Sequence, residues 1–251
     1  MAVGLSAEFA DARLVAVYDA LNAYRPGTQP DFYVGLAAEV GAGTVIEIGC
    51  GTGLITTDFA RAGFDVIGIE PSQRMLEVAR RRRATERVRW VLGGVSELAA
   101  FRADMAFMAG HVAQFFVTDE AWDEAVTATH AALRPGGVFA FESRNPAAQA
   151  WTSWTPSQTR RAVVDPAIGR IETWTAEVEA SGGVVTCVQH YRFAASGDAL
   201  VARTALRFRS RGELERSLDA GGFAVERLYG NWDRRPFSDR DEEIIVVARR
   251  V

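Results

Sequence analysis

The chain reads as an α/β protein: a parallel β-sheet covered by helices on both faces, with an antiparallel β meander inserted late. Three observations predict this. The stretch Val45-Ile46-Glu47-Ile48-Gly49-Cys50-Gly51-Thr52-Gly53 runs a buried strand into a glycine-rich turn, and Leu54, Ile55 and Phe59 begin a helix. Nearly all-apolar strand segments then alternate with helical patterns, as expected of strands buried on both faces. Between Asn145 and about Ser210 the alternation gives way to long strand-like segments separated by hairpin-type turns.

Composition bounds what such a chain can be. At 251 residues and 48% hydrophobic content it can bury a full core, as one large domain or one domain with an insertion. No apolar run approaches the roughly 20 residues that span a bilayer. The N-terminus, broken by Glu8, Asp11 and Arg13, lacks a signal-peptide core, so a soluble, cytoplasmic protein without a membrane partner is expected. The net charge is −4 and every basic residue is arginine, a poor match to the basic face of a nucleic-acid binder. The run Arg80 to Arg83 closes a predicted helix, where cations suit the dipole and face water. Cys50 and Cys187 form neither a disulfide framework nor a metal-ligand cluster and read as small buried residues; no metal is expected.

In chain order, Phe9, Leu14, Val17, Tyr18 and Leu21 give residues 6–24 an amphipathic helical spacing, which Arg25-Pro26-Gly27-Thr28-Gln29-Pro30 breaks. Asp31 can cap a second helix to about Val40, ended by Gly41-Ala42-Gly43. After the glycine turn a helix runs to Ala62. Asp65 to Glu70 is the second strand, and Ser72 is placed to cap the helix bearing Met75, Leu76 and Ala79. Val88–Leu92 is a third strand ending at Gly93-Gly94, and Asp104–Met108 a fourth ending at Ala109-Gly110-His111. Thr118 or Asp119 caps a helix to Leu133, Arg134-Pro135-Gly136-Gly137 closes it, and Val138–Glu142 is the fifth strand. Ile171–Glu179, Val184–Phe193 and Leu200–Arg209 form the meander. Trp174, Ala176 and Val178 share one face of its first strand, and Arg203, Arg207 and Arg209 point away from the apolar face of its third. A helix from Glu213 to Ala220 and strands at Ala224–Leu228 and Glu243–Ala248 complete the chain.

Strand, glycine turn, helix, strand and acid make a mononucleotide-binding unit, with Glu70 where a carboxylate can accept both hydroxyls of a ribose. Glu47-Ile48-Gly49-Cys50-Gly51-Thr52-Gly53 resembles the E/D-x-G-x-G-x-G motif of class I S-adenosylmethionine-dependent methyltransferases. Ile69-Glu70-Pro71-Ser72 with Met75-Leu76 is similar to their second motif, and Leu133-Arg134-Pro135-Gly136-Gly137 to their L-x-P-G-G. The likeness spans roughly residues 31–145 and 211–251, and the meander and aromatics look most like the small-molecule members. It implies a Rossmann-like, doubly wound, seven-stranded sheet whose last strand is antiparallel, with S-adenosyl-L-methionine as cofactor. It divides the chain into a helical leader or lid (1–43), a cofactor-binding domain (44–145 and 211–251) and an inserted meander capping the acceptor (146–210). By matched position, Gly49, Gly51, Thr52 and Gly53 would line the methionine part, and Glu47 would support the loop or the amino group. Glu70 would hold the ribose, and Pro71, Ser72, Met75, Gly94 and Val95 would edge the adenine. The carboxylate that many relatives place after the third strand is replaced here by Gly93-Gly94-Val95-Ser96.

Ligands of such sheets collect beyond the carboxyl ends of the strands, which makes the fourth-strand exit, Gly110-His111-Val112-Ala113-Gln114, the meeting place of cofactor and acceptor. No N-P-P-Y-like sequence stands there, which counts against nucleobase amino methylation. His111 is the candidate base or acceptor hydrogen bond, with a structural or cofactor-edge role as the alternative. His190 could line a pocket, although core or solvent suits it as well. Trp151, Trp154 and Trp174 could wall an acceptor or bury the meander. Tyr18, Gln114, Tyr229 and Trp232 are further acceptor-side candidates. The expected reaction is methyl transfer to a small molecule, by a monomer or homodimer. Competing readings are a nicotinamide oxidoreductase, disfavoured by G-x-G-x-G in place of G-x-G-x-x-G, and a non-catalytic cofactor-binding regulator.

Overall fold

The computed structural model describes residues 6–24, 27–83 and 85–251. Arg25 and Pro26, part of the expected break after the first helix, lie outside the described residues. Among the described residues eleven strands fall into two sheets. The main sheet contains β1 (Thr44–Ile48), β2 (Asp65–Glu70), β3 (Val88–Leu92), β4 (Ala103–Met108), β5 (Leu133–Arg144), β10 (Phe223–Tyr229) and β11 (Glu243–Arg250), in the order β10-β11-β5-β4-β1-β2-β3. β1 to β5 pair in parallel, and β11 runs antiparallel to both β5 and β10. The expected seven-stranded α/β sheet with its last strand reversed is therefore present.

Alternate residues of each strand feed opposite cores. Val45, Val66, Met105, Phe107, Ala140 and Val247 face α3 (Gln29–Glu39) and α4 (Leu54–Arg61). Ile46, Ile67, Ala106, Phe139, Phe141 and Val246 face α6 (Asp119–Ala132) and α8 (Arg211–Ala220). Both faces are covered, which is why polar residues of the parallel strands fall mostly at or near the strand ends. α5 (Gln73–Ala79) opens on the expected cap, the Ser72 hydroxyl accepting from Met75 N at 3.2 Å, and α6 on Thr118, which accepts from Ala121 N at 3.2 Å.

The second sheet holds β6 (Arg161–Asp165), β7 (Gly169–Ser181), β8 (Val184–Phe193) and β9 (Ala199–Arg207), in that order and antiparallel throughout. β6 was not expected: it is a five-residue edge strand, too short to give a firm alternating pattern. It follows α7 (Pro156–Thr159). The buried face of β7 is Ile171, Thr173 and Thr175, and a bulge at left-handed Glu177 separates Val178 from Trp174 and Ala176, ending the shared face. Arg209 does not point into solvent. It is 3% exposed and donates to the carbonyls of Phe116 and Thr118, each at 2.9 Å, tying the strand exit to the start of α6.

The expected first helix is two helices, α1 (Ala7–Ala10) and α2 (Ala12–Leu21), because the Asp11 side chain caps the second by accepting from Arg13 N and Leu14 N. α3 starts at Gln29, with Pro30 in its first turn, ahead of the expected Asp31 cap; Asp31 accepts from Gly27 N instead. The leader is thus divided between two cores. α3 packs on the main sheet, whereas Leu14, Val17 and Leu21 of α2 pack on Ile171, Tyr191 and Phe193 of the meander. Among the described residues no helix is long and apolar enough to cross a membrane.

Candidate functional site

The three loop glycines all have positive φ, at 75°, 56° and 76°, but they do different work. A Cβ at Gly49 would lie 2.7 Å from Val112, and one at Gly53 would lie 2.5 Å from the Trp90 ring, whereas Gly51 faces open space. The outer glycines therefore admit neighbouring side chains, and the middle one keeps a surface clear. Trp90, with Cys50, Leu76 and Ala79, forms the cushion under the loop, so Cys50 is the small buried residue expected. Gly94 is likewise open, at the β3 exit. The acid missing from Gly93-Gly94-Val95-Ser96 stands just beyond it: the Glu97 side chain lies over Gly93, close enough that a Cβ there would collide with it.

Two carboxylates converge on the loop. Glu47, 4% exposed, accepts from the Thr56 hydroxyl, and burial, with the nearby Glu70 charge adding, pushes its carboxyl up to about 8. Glu70 accepts from Gly51 N at 3.0 Å and Ser72 N at 2.8 Å, one through each oxygen. Burial raises it, against the lowering effect of those two N–H groups. Each oxygen retains a further lone pair. Ser72 is 1% exposed and Met75 fully buried, while Pro71 is exposed and Val95 packs against the core.

The leader lies across this loop. The Thr52 hydroxyl donates to Asp19 Oδ1 at 2.5 Å, Ser72 Oγ donates to the Phe9 carbonyl at 2.5 Å, and the Phe9 ring packs edge-on against Phe115 at 5.7 Å. Arg82 donates to both Asp19 and the Thr52 carbonyl. It therefore departs from the water-facing role expected of the arginine run: it fastens the leader to the glycine turn. Tyr18 is raised above the ordinary phenol range, by burial and then by the charges of Glu8, Glu70 and Asp19. The Tyr24 hydroxyl stands over Gly110, 3.5 Å from where a Cβ would be.

At the β4 exit, Gly110 and His111 are both left-handed, with φ 71° and 62°, and the chain turns sharply. Buried Glu142 secures the turn by accepting from His111 N at 3.0 Å and from the Tyr33 hydroxyl. Burial is the first cause holding the Glu142 carboxyl high. The His111 ring is oriented by Glu243, whose oxygens lie 2.9 and 3.0 Å from Nε2. Nδ1 is the remaining ring nitrogen.

The other acceptor-side candidates do not gather at one point. Gln114 is fully buried and bonds Arg144 and the Arg207 carbonyl. Trp151 and Trp154 pack on Phe208 with Val185 and Leu206, so their rings bury the meander end. Trp174 is on the outer face, stacked on His190 at 5.2 Å and covered by Arg160, which leaves His190 on the solvent side. Tyr229 and Trp232 pack edge-on against Phe32 of α3. Tyr18 does line a cavity of about 130 Å³ between the leader and the meander, with Glu8, Asn22, Arg161, Gln189 and Tyr191. Sequence reasoning did not single out Asp19, Arg82, Glu142 or Glu243. Each acts on a partner at least 30 residues away, and no local spacing marks them.

Residues 45–137 match a family model described as a methyltransferase domain. Over 97 residues the chain is 31% identical to an uncharacterised methyltransferase of Oceanobacillus iheyensis, the aligned part being 39% of this chain and 45% of that protein. The match thus spans less than half the length of that relative. The fold resembles that of an S-adenosylmethionine-dependent methyltransferase from Clostridium acetobutylicum, with TM-score 0.77, 14% identity, and 95% and 98% of the two chains covered. It also resembles the sugar N-methyltransferase KedS8 from a Streptoalloteichus species, with TM-score 0.72, 18% identity, and 100% and 99% covered.

Proposed function

We propose that this chain is a class I S-adenosylmethionine-dependent methyltransferase that transfers a methyl group to a polar small molecule. The observation that carries the reading is the arrangement of two converging carboxylates, Glu47 and Glu70, around an open Gly51 in the region that matches the methyltransferase domain. The residues fit the cofactor chemically. A buried carboxyl suits an ammonium, a carboxylate with spare lone pairs suits a ribose diol, and the clear faces of Gly51 and Gly94 leave room for the ligand.

When bound, S-adenosylmethionine supplies a methyl group already activated as a sulfonium; the protein must align donor and acceptor and exclude water. In this reading Glu70 holds the ribose hydroxyls while keeping its two backbone bonds, and Glu47 meets the ammonium. Gly49 and Gly53 shape the turn. Pro71, Ser72, Gly94 and Val95 edge the adenine, with Met75 supporting them from the core. Thr52, Asp19 and Arg82 hold the leader shut, and Tyr18 and Tyr24 keep water out. His111, with Nε2 committed to Glu243, would accept an acceptor proton at Nδ1, the nitrogen not bonded to that carboxylate. The insert, 146–210, together with α1 and α2, forms the acceptor cap, and the 130 Å³ cavity is part of its pocket. A polar acceptor suits that cavity's amides, hydroxyls and charges, and the sugar substrate class in the name of KedS8 supports it. We place the enzyme in the cytoplasm, acting without nucleic acid, as a monomer or homodimer.

The test is methyl transfer from methyl-tritiated S-adenosylmethionine into a metabolite extract, alongside thermal protection. Label should enter a small polar product, and S-adenosylhomocysteine should raise the melting temperature where NAD does not. Protection by NAD alone would sink the reading. Tight S-adenosylhomocysteine binding without any transfer would leave a cofactor-binding regulator.

A further inference from the structure

We propose that Arg144 is the anion anchor of the acceptor site, so that the acceptor carries a carboxylate or a phosphate. This rests on the methyltransferase reading. Arg144 is the last residue of β5, at the carboxyl edge where ligands of such sheets bind.

Its guanidinium is half-buried and under-used. Among the described residues it makes one hydrogen bond, Nη1 to Gln114 Oε1 at 2.9 Å, rests over the Trp154 ring at 5.3 Å, and has no carboxylate at ion-pairing distance. The other inward arginines are all engaged. Arg82 holds Asp19 and Thr52, Arg207 holds Glu213 and the Gly182 carbonyl, and Arg209 holds Asp119 and two carbonyls. A guanidinium has five donors in a fixed fork that matches an oxyanion, and withdrawing it from water with most of them unmet costs free energy.

The surroundings explain why the fork is free. Glu243 is close enough to favour the charge, but its oxygens are taken by His111, and those of Glu142 by Tyr33 and His111 N. Fully buried Gln114, braced on the Arg207 carbonyl, fixes the guanidinium in place. Through Gln114 the guanidinium is linked to the Arg207 carbonyl of β9, it rests on the Trp154 ring, and Arg144 stands opposite Glu243 across β5 and β11, which puts it at the joint between the main sheet and the cap. An oxyanion seated there would bring the rest of the acceptor beside His111.

The test uses the full-length protein saturated with S-adenosylhomocysteine. Phenylglyoxal labelling is followed at Arg144 by peptide mass spectrometry in phosphate, acetate or chloride at one ionic strength. Arg144 should react, and phosphate or acetate should slow it about tenfold relative to chloride while sparing exposed arginines. Protection by phosphate alone identifies a phosphorylated acceptor, and protection by acetate a carboxylate. An unreactive Arg144, or protection equal at every arginine, overturns the anchor. Failure to bind S-adenosylhomocysteine fells the underlying reading and the anchor with it. With the acceptor from the label-transfer assay, Arg144→Lys should raise KM about tenfold and leave kcat little changed. An acceptor without an oxyanion would also overturn the proposal.

Discussion

The carboxyl edge of the main sheet is built in two ways. On the β1–β2 side, the loop is made of backbone: Gly51 N and Ser72 N on Glu70, a clear face at Gly51, and glycines that make room for Val112 and Trp90. On the β4–β5 side the same edge is made of side chains drawn from distant segments. His111 is held by Glu243, Glu142 by Tyr33, and Gln114 by Arg144 and the Arg207 carbonyl. A backbone site demands particular φ angles and therefore glycines at fixed spacing. A side-chain site demands only that the fold bring partners together, which leaves it free to vary with the acceptor.

That division predicts separable defects. His111→Ala should lower kcat by about a hundredfold or more while S-adenosylhomocysteine affinity stays within error. Steady-state kinetics with the acceptor found by label transfer, paired with calorimetry, makes the check. Equal loss of both would show that the two halves are not independent.

The leader joins the halves, because α2 packs on the meander while Asp19 bonds Thr52 and Arg82 at the loop. Asp19→Ala should therefore speed S-adenosylhomocysteine release by about tenfold, through loss of the charged hydrogen bonds. Stopped-flow tryptophan fluorescence reads this, and an unchanged off-rate would remove the latch.

For Glu47 the sign of the pH effect is fixed. Burial raises its folded carboxyl from the ordinary 4.5 to about 8, so between those values the folded protein holds a proton that the unfolded chain has lost. Its contribution is complete below the unfolded value and is lost as pH rises through the folded one, by up to about 1.4 kcal/mol per pH unit. The unliganded protein should melt lower with rising pH across this window, and Glu47→Gln should flatten the slope. If Glu47 meets the ligand ammonium as proposed, S-adenosylhomocysteine should protect most at the alkaline end. A melting temperature that rises over the window would refute the buried-acid account.

The same contrast explains what the sequence made legible. The strand-turn-helix run at Val45–Phe59, the acid at Glu70 and the alternation of strands were readable because period and glycine spacing are local properties. The Ser72 cap was readable for the same reason. Splitting the first helix at Asp11 and the short edge strand Arg161–Asp165 were not, since a single capping residue leaves the apolar helical spacing unbroken and five residues are too few to set an alternating pattern. Arg82 and Arg209 looked like surface charge; only tertiary contact shows one fastening the leader and the other bracing α6. Tyr229 and Trp232 were legible as aromatics but not as partners of α3.

We propose that the β1–β2 edge binds S-adenosylmethionine through Glu70. Calorimetric titration of S-adenosylhomocysteine into the wild type and Glu70→Ala tests it most directly. The account predicts saturable one-to-one binding to the wild type and a loss of about a hundredfold or more in the variant, as removal of two charge-assisted hydrogen bonds requires. Equal affinity in the two proteins would contradict it.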